Sequence, residues 1–153
     1  MSGNWWKPGS SGGTTPPPTG TNLAAGKSAQ ASSTEAAGFE PSRAFDGNTT
    51  TRWASAEGID PQWLYVDLGS TRSINKVILN WESAYATSYQ IQISTDSGSP
   101  VNWTQVYSKT NGQGGTETIN FQTTNARYVR MLGTGRGTPY GYSLYEFGVY
   151  GPS

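Results

Sequence analysis

The 153-residue chain contains no cysteine and no histidine. Without cysteine it can form no disulfide bond, and it has no thiolate to act as a nucleophile or metal ligand. Without histidine it lacks the commonest general base and the commonest zinc ligand. Any catalysis would therefore depend mainly on carboxylates, lysine or tyrosine.

Charge is also scarce. Charged residues make up 13% of the sequence, and ten Lys and Arg balance ten Asp and Glu. No net field draws the chain to nucleic acid or to an anionic membrane surface, so we expect neither partner. No run approaches the roughly 20 apolar residues of a transmembrane helix. The first residues, MSGNWWKPG, have no apolar signal-peptide segment and are more typical of a position inside a larger protein.

The first 21 residues differ in composition from the rest. Residues 9–21, GSSGGTTPPPTGT, are rich in Gly, Ser, Thr and Pro, a composition that cannot bury a core and is typical of a linker. We therefore predict that residues 1–21 are a flexible linker with the end of an upstream domain, and that residues 22–151 form one domain. Trp5 and Trp6 are interpreted either as the end of that upstream domain or as an adhesive tail on this one.

From Asn22 onward, short strand-like runs alternate with turns. WLYVDLG (63–69) and YQIQIS (89–94) alternate apolar and polar positions, whereas KVILNW (76–81) is mostly apolar and suits a strand covered on both sides. Only ASSTEAAGFEPSRAF could hold a helical turn, which Pro41 limits. The pattern predicts an all-β fold, an antiparallel β-sandwich.

Five stretches together carry a family resemblance: NLAAGKSAQASS, PSRAFDGNTTTRWAS, QWLYVDLGS, INKVILNW, and ARYVRMLG with SLYEFGVYG. In this order, from about Asn22 to Gly151, they resemble a discoidin domain (coagulation factor 5/8 type C domain) and the similar family 32 carbohydrate-binding modules of bacteria. The resemblance implies a jelly-roll sandwich with a ligand site on loops at one end and no catalysis. It also implies a secreted, monomeric module tethered to a glycoside hydrolase.

Within this family the chain is most similar to chitosan-binding modules of bacterial chitosanase or glucanase enzymes. The resemblance implies that glucosamine oligomers are bound by an aromatic of the TPYGYS loop and by four further residues, Glu35, Arg52, Glu57 and Glu82. Galactose-binding members generally carry a histidine in the site, which this chain lacks. A module for a neutral glycan, either β-glucan or a galactose-type sugar, is the alternative.

The residues themselves leave several roles open. Tyr140 and Tyr142 lie in a turn-rich stretch that offers a tyrosine no core, so we expect both rings to be available for stacking on a sugar; Tyr85 is a weaker candidate. Arg52 could donate its planar fork to sugar hydroxyls, or it could hold a neighbouring glutamate in place. Trp53 fits the core and the rim equally well. The tryptophans in strand-like runs are predicted to be core residues: Trp63, Trp81 and Trp103.

AFDGNTTT supplies hard oxygen donors at close spacing, which is the chemistry that Ca²⁺ prefers. The family resemblance implies a structural Ca²⁺ held by side chains or carbonyls of Arg43, Asp46, Asn48, Thr51, Tyr145 and Glu146. An unpaired carboxylate at Glu146, among apolar neighbours, would be costly unless a cation balanced it. The alternative is that Asp46 only caps a turn.

The sequence disfavours two other function classes. A glycosidase needs two carboxylates about 5–10 Å apart, one of them with a raised pKa in a cleft. Glu35 and Glu57 could be so arranged, but nothing in the sequence indicates a long groove. A cell-surface adhesion or lipid-binding discoidin domain would present apolar spikes and Lys or Arg at its loops, and here the loops carry acids and tyrosine. We therefore predict a non-catalytic carbohydrate-binding module.

Overall fold

The structure is a computed structural model that describes residues 20–152. The predicted linker, with Trp5 and Trp6, lies outside these residues except for its last two positions. The described part contains seven strands and one short 3₁₀ helix, Pro41–Ala44. The strands are β1 (Ser28–Ala31), β2 (Trp53–Ala54), β3 (Gln62–Trp81), β4 (Ala86–Ser94), β5 (Thr104–Lys109), β6 (Thr116–Arg136) and β7 (Ser143–Tyr150).

Two long strands, β3 and β6, run through both layers of an antiparallel β-sandwich. The first half of β3 (62–67) pairs with β1 and with the second half of β6, which also pairs with β4; β5 completes this first layer. The second half of β3 (76–81) pairs with the first half of β6 and with β7, and β2 completes the second layer. Register shifts in β3 around residues 67–76 mark the passage between layers. The predicted all-β fold is confirmed.

The core lies between the two layers and follows the period-two pattern of the strands. Leu64, Val66 and Leu68 from the first layer are buried, and so are Val77 and Leu79 from the second. All five belong to one hydrophobic cluster, because strand side chains alternate between the two faces of a sheet. The outer face of each layer is left to more polar residues and to aromatics.

The tryptophan predictions are partly wrong. Trp81 is buried, and so is Trp53, whose indole Nε1 donates to the Ser33 carbonyl oxygen at 3.1 Å. Trp63 and Trp103, however, are only partly buried and do not belong to the core cluster. Trp63 occupies an odd position of β3, which points away from the core, and Trp103 precedes β5 on the same outer face.

The helical turn expected near Pro41 is the four-residue 3₁₀ helix, which Pro41 itself begins. A proline fits there because the first residues of a helix need no intrahelical N–H donor. In the described part of the chain, no helix has the length and apolarity needed to cross a bilayer.

Candidate functional site

Residues 140–143, which lead from the β6–β7 loop into the first residue of β7, join the loops at one end of the sandwich. The Ser55 N–H donates to the Tyr142 carbonyl at 2.8 Å, and the Glu82 N–H donates to the Ser143 carbonyl at 3.0 Å. Glu35 enters the same frame because its N–H donates to the Ala54 carbonyl at 2.8 Å, and Ala54 pairs with Ser143 in the ladder between β2 and β7. Backbone hydrogen bonds therefore bring four separate stretches of the chain together.

All six residues predicted to bind ligand line one cavity at this end of the molecule. The cavity has a volume of about 210 Å³. Its lining includes Glu35, Arg52, Glu57, Glu82, Tyr140 and Tyr142. We call it the loop-end site.

Arg52 holds a glutamate in the structure. Its Nη1 donates to Ser143 Oγ at 2.7 Å and lies 3.4 Å from Glu82 Oε1, and its guanidinium carbon lies 4.5 Å from the centre of the Phe39 ring. A guanidinium that is stacked and hydrogen-bonded on its edge is fixed in one orientation. Of the two roles that the sequence left open, the structure places Arg52 as the partner of Glu82.

Glu82 is the most enclosed of the three acids. Its Oε1 accepts the Ala84 N–H at 3.0 Å, and its Oε2 accepts the Ser83 hydroxyl at 2.7 Å. Burial by itself would raise the pKa of Glu82, but these hydrogen bonds and the Arg52 charge outweigh it and hold the pKa below its ordinary value. Glu82 therefore carries a fixed negative charge near neutral pH.

Glu35 and Glu57 are both exposed. No hydrogen bond or ion pair to either carboxylate occurs within residues 20–152. Arg52, which also lines the site, is paired with Glu82 instead. The loop-end site thus has an excess of negative charge although the whole chain is neutral. Carboxylates in this state are available to hydrogen-bond a cationic ligand.

The two tyrosines of the 140–143 segment have opposite environments. Tyr140 is 57% exposed, as predicted for a residue whose ring could stack on a sugar. The expectation for Tyr142 is wrong, because its ring is fully buried against Gly133 and its hydroxyl donates to Asp60. The Tyr142 ring is therefore not available to stack on a ligand.

Tyr85 and Arg136 lie outside the loop-end cavity. Tyr85 packs against Gly114 and Gly137 and does not line the loop-end cavity. The Nε of Arg136 donates to the Asp60 carboxylate at 3.1 Å. Its Nη1 donates to the carbonyls of Pro139 and Tyr140 at 3.3 and 3.4 Å. Asp60 and Arg136 therefore brace the backbone that presents Tyr140.

Sequence reasoning missed several residues that shape the loop-end site. Gly141 separates the two tyrosines, and a Cβ there would lie 2.5 Å from Ser55 Oγ. The same Ser55 hydroxyl accepts the Tyr142 N–H at 2.9 Å, and Ser143 anchors Arg52. The glycine between two tyrosines was the available signal for a close backbone contact; the serines carried none.

The site's chemistry suits binding and not bond cleavage. A glycosidase acid needs a carboxyl group with a raised pKa, and the pKa of Glu82, the acid that is fixed in place, is lowered. The cavity is also smaller than the roughly 300–1,000 Å³ typical of pockets that enclose a small molecule. A polymer segment lying across exposed acids and Tyr140 fits this shape.

A second predicted site lies in the loop of residues 43–51, next to Glu146 of β7. Asp46 Oδ1 accepts the Asn48 N–H at 2.9 Å, and Asp46 Oδ2 accepts the Thr51 hydroxyl at 2.5 Å. Glu146 Oε2 is buried and has no hydrogen-bond partner among residues 20–152. Burial, together with the neighbouring Asp46 carboxylate, raises the pKa of Glu146 to about 7.

This loop fits the donor set of a hard cation. An orphaned buried carboxylate oxygen beside a second carboxylate is stabilised by a positive charge between them. No group of three or more Asp, Glu, His or Cys side chains that could together hold a metal ion occurs in the described residues, so backbone carbonyls and the Thr51 hydroxyl would complete the set. The Arg43 guanidinium, which pairs with Glu40 at 3.3 Å, is a cation without an acceptor atom, so only the Arg43 carbonyl can take this role. For Tyr145, no hydrogen bond to this loop is found within the described part of the chain.

Comparison with known proteins gives a family match over most of the domain. The model of the F5/8 type C domain matches residues 28–147. A curated relative, the polysaccharide lyase 8 family protein HylA of Enterococcus faecalis, is 38% identical over 95 residues. That alignment covers 60% of this chain and 7% of HylA, so the chain spans a small fraction of the relative's length.

Solved structures agree in fold and in sequence. Chitosan-binding module 1 from the chitosanase/glucanase of Paenibacillus sp. IK-5 is 66% identical with a TM-score of 0.85, covering 86% of this chain and 99% of that one. Chitosan-binding module 2 of the same enzyme, solved with chitotriose, is 60% identical with a TM-score of 0.84, covering 85% of this chain and 100% of that one. A Clostridium perfringens CBM32 module, 23% identical with a TM-score of 0.71 over 82% of this chain and 95% of that one, shares the fold.

Proposed function

The chain belongs to the F5/8 type C domain family, and from that premise we propose that it is a non-catalytic module that binds chitosan. The observation that carries the proposal is the gathering of Glu35, Glu57 and Glu82 beside exposed Tyr140 in the loop-end site. The modules that are 60–67% identical to it are named for chitosan binding, and one was solved with chitotriose. The matches extend over nearly the full length of those modules, so the domain is a binding module and not a catalytic one.

Recognition rests on charge and on one aromatic ring. Glu35 and Glu57 accept hydrogen bonds from the protonated amines of glucosamine units. Glu82 accepts a hydrogen bond from an amine that lies between it and these two acids. Tyr140 covers the C–H face of a sugar ring and excludes water from it. Arg52 does not face an amine, since like charges repel; it fixes Glu82 from behind. A neutral glycan is not favoured at this site, because it would leave these carboxylates without counter-charges.

The expected affinity is moderate. An exposed ion pair contributes about 0.2–1 kcal/mol, and a stacked ring contributes about 0.5–1.5 kcal/mol. After the costs of association, a few such contacts correspond to a Kd between about 1 µM and 1 mM. Because the pairs with Glu35 and Glu57 are exposed, salt screens them and should weaken binding.

We predict that chitotriose binds at least about tenfold more tightly than its fully N-acetylated counterpart, because acetylation removes the amine charges that the glutamates recognise. Isothermal titration of both trimers at low and at moderate salt measures this difference. Added salt should narrow it. Equal binding of the acetylated trimer would overturn the ion-pair account, and glucan trimers serve as a neutral control.

We also propose that the loop of residues 43–51 holds a structural Ca²⁺ between Asp46 and Glu146. Glu146 Oε2, which is buried without a hydrogen-bond partner in the part of the chain that the structure describes, supports the proposal. Asn48, Thr51 and the Arg43 carbonyl are further oxygen donors. When bound, the cation supplies positive charge that ties this loop to β7, and it takes no part in chemistry. The sequence resemblance also included Tyr145, which stays a prediction.

Removal of the cation should lower the melting temperature. A ligand present at 100 times its Kd stabilises the folded state by about 2.7 kcal/mol, which corresponds to roughly 8 °C for a domain of this size. Differential scanning calorimetry after exhaustive dialysis against EDTA measures the shift, and Ca²⁺ should restore the original value. Asp46→Asn should melt at the lower temperature with or without Ca²⁺. An unchanged melting temperature in protein that elemental analysis shows to be free of metal would refute the proposal.

Finally, we propose that the module is a secreted monomer tethered through residues 1–21 to an upstream glycoside hydrolase. The linker-like composition of those residues supports the tether. Chitosan is an insoluble, extracellular polymer, and a tethered module raises the local concentration of an attached enzyme on it.

A further inference from the structure

A second groove, of about 520 Å³, lies on the outer face of the first layer. Tyr65 and Arg130, which are directly paired between β3 and β6, form part of its floor, and Trp103 forms part of its wall. None of the residues that line it also lines the loop-end site. We call it the outer-face groove.

Aromatic rings cluster in this groove without belonging to the core. Trp63 and Tyr65 are stacked with centroids 5.4 Å apart and an interplanar angle of 16°, and the Tyr65 and Trp103 centroids are 5.5 Å apart. None of the three is a member of the buried hydrophobic cluster. Two tryptophans and a tyrosine on one outer face form an amphipathic surface of the kind that covers the C–H face of a sugar ring.

The groove also contains a positive charge, the Arg130 guanidinium, that no described residue neutralises. The Arg130 guanidinium carbon lies 4.2 Å from the Trp103 ring centre, and its Nε donates to Gln92 Oε1 at 2.7 Å. Within residues 20–152, no carboxylate pairs with Arg130 and no hydrogen bond reaches its two terminal nitrogens. Asp67, the acid that lines the groove, is already bound by Arg127 at 2.9 and 3.1 Å.

A partly buried guanidinium of this kind is costly unless an anion completes it. Its planar pair of terminal NH₂ groups matches the two oxygens of a carboxylate, and the Gln92 contact fixes the plane in advance. A glucosamine unit would instead bring its ammonium group against Arg130. The outer-face groove therefore has the charge preference opposite to that of the loop-end site.

We propose that the outer-face groove binds a sugar acid, namely a hexuronic acid unit of an acidic polysaccharide, whose carboxylate pairs with the terminal nitrogens of Arg130. The pyranose ring packs against the aromatic cluster of Trp63, Tyr65 and Trp103. Gln30, exposed on β1 and directly paired with Tyr65, can hydrogen-bond the sugar hydroxyls. The module then holds two polysaccharides of opposite charge at once, on separate surfaces.

The test is a titration of the full-length, ¹⁵N-labelled chain with tetragalacturonate, followed by the tryptophan indole N–H signals. We expect the signals of Trp63 and Trp103 to shift with tetragalacturonate, and the neutral tetramer cellotetraose to bind at least about tenfold more weakly. Chitotriose added afterwards should produce its own shifts undiminished. This last result separates the two sites, because it depends on the loop-end site alone.

Substitutions assign the effect to the guanidinium. Arg130→Gln should lower the tetragalacturonate affinity at least about tenfold, and Arg130→Lys should fall between it and the unmodified chain, because lysine keeps the charge but not the planar fork. Arg72→Gln, at an exposed arginine that does not line the groove, is the matched control and should bind normally. Melting temperatures of all variants show whether each one is folded.

Three results would overturn the proposal. Equal binding of cellotetraose would mean that stacking occurs without carboxylate recognition. Shifts of the same indole signals by polyglutamate at lower concentration than by tetragalacturonate would assign the groove to an acidic peptide. No shift of either indole signal with any of these ligands would mean that the groove is not a binding site. The comparison of charged and neutral tetramers decides the matter even if the Arg130 variants do not fold.

Discussion

Glu82→Gln is expected to lower the affinity for chitotriose by about thirtyfold and to lower the melting temperature as well. The Glu82 side chain is only 20% exposed and is held by Arg52, Ser83 and Ala84. Neutralising it removes a fixed charge for the ligand amine and leaves Arg52 without its counter-charge. Loss of one partner from an enclosed, hydrogen-bonded charge pair costs about 2–5 kcal/mol in binding, and the lower figure corresponds to about thirtyfold.

Glu35→Gln provides the matched control for this prediction. Glu35 is exposed and its carboxylate has no partner in the described residues, so we expect a loss of only about threefold in affinity and no change in melting temperature. Isothermal titration and calorimetry of both variants separate the two outcomes. If the two substitutions had equal effects on binding, the enclosure of Glu82 would not matter for recognition.

The pH dependence of stability should also report on Glu82. The pKa of Glu82 is lowered in the folded chain, so its stabilising contribution is present above the unfolded pKa of about 4.3 and is lost as the pH falls through the folded value. Glu82→Gln should therefore reduce the loss of stability between neutral and acidic pH.

Gly141→Ala is expected to remove at least about nine-tenths of the affinity for chitotriose and to lower the melting temperature by several degrees. An added Cβ would lie 2.5 Å from Ser55 Oγ and 2.7 Å from the Ala56 carbonyl oxygen. The backbone cannot yield there, because Ser55 and Tyr142 are joined by two hydrogen bonds. Crowding of this kind costs about 1–3 kcal/mol, and the relief available to the loop is to move Tyr140 away from the acids.

Gly98→Ala is the matched control, since a Cβ at Gly98 meets no atom within 4 Å and lies far along the chain from the loop-end residues. We expect it to bind chitotriose normally. Titration of both variants, with Tyr140→Ala for comparison, measures how much of the Gly141 effect passes through the ring. Normal binding by Gly141→Ala would mean that the position of the 140–143 segment does not determine affinity.

The strands and the core faces could be predicted because burial follows the residue pattern locally. In the first half of β3 the alternating Leu64, Val66 and Leu68 are buried, as their spacing predicts. The pattern did not show that KVILNW continues the same strand, because a strand that passes between two layers is a matter of pairing and not of periodicity. Trp63 and Trp103 were predicted to be core residues because they lie in strand-like runs, but both side chains lie on the outer face of the sheet.

The candidate ligand residues were named largely through family resemblance, and their assembly depended on long-range contacts. Glu35, Glu57 and Glu82 are distant in sequence. Residues 140–143 form backbone hydrogen bonds with the stretches that carry Glu57 and Glu82, and Glu35 is joined to the first of these stretches through Ala54. Residue type and local composition could not predict that Tyr140 and Tyr142 differ in exposure. One ring is exposed, and the other is buried because Gly133 on β6 leaves it space.

The sequence by itself determined what this protein lacks and which chemistry is left to it: no thiol, no imidazole, few charges, and acids and tyrosines concentrated in turns between apolar strands. The tertiary structure alone decided which charges are satisfied. Arg52 is neutralised by Glu82, whereas Arg130 lies between tryptophans and has no carboxylate partner among the described residues. The physical reason is that electrostatic pairing depends on distances of a few ångströms between residues that the chain holds far apart, and only folding sets those distances.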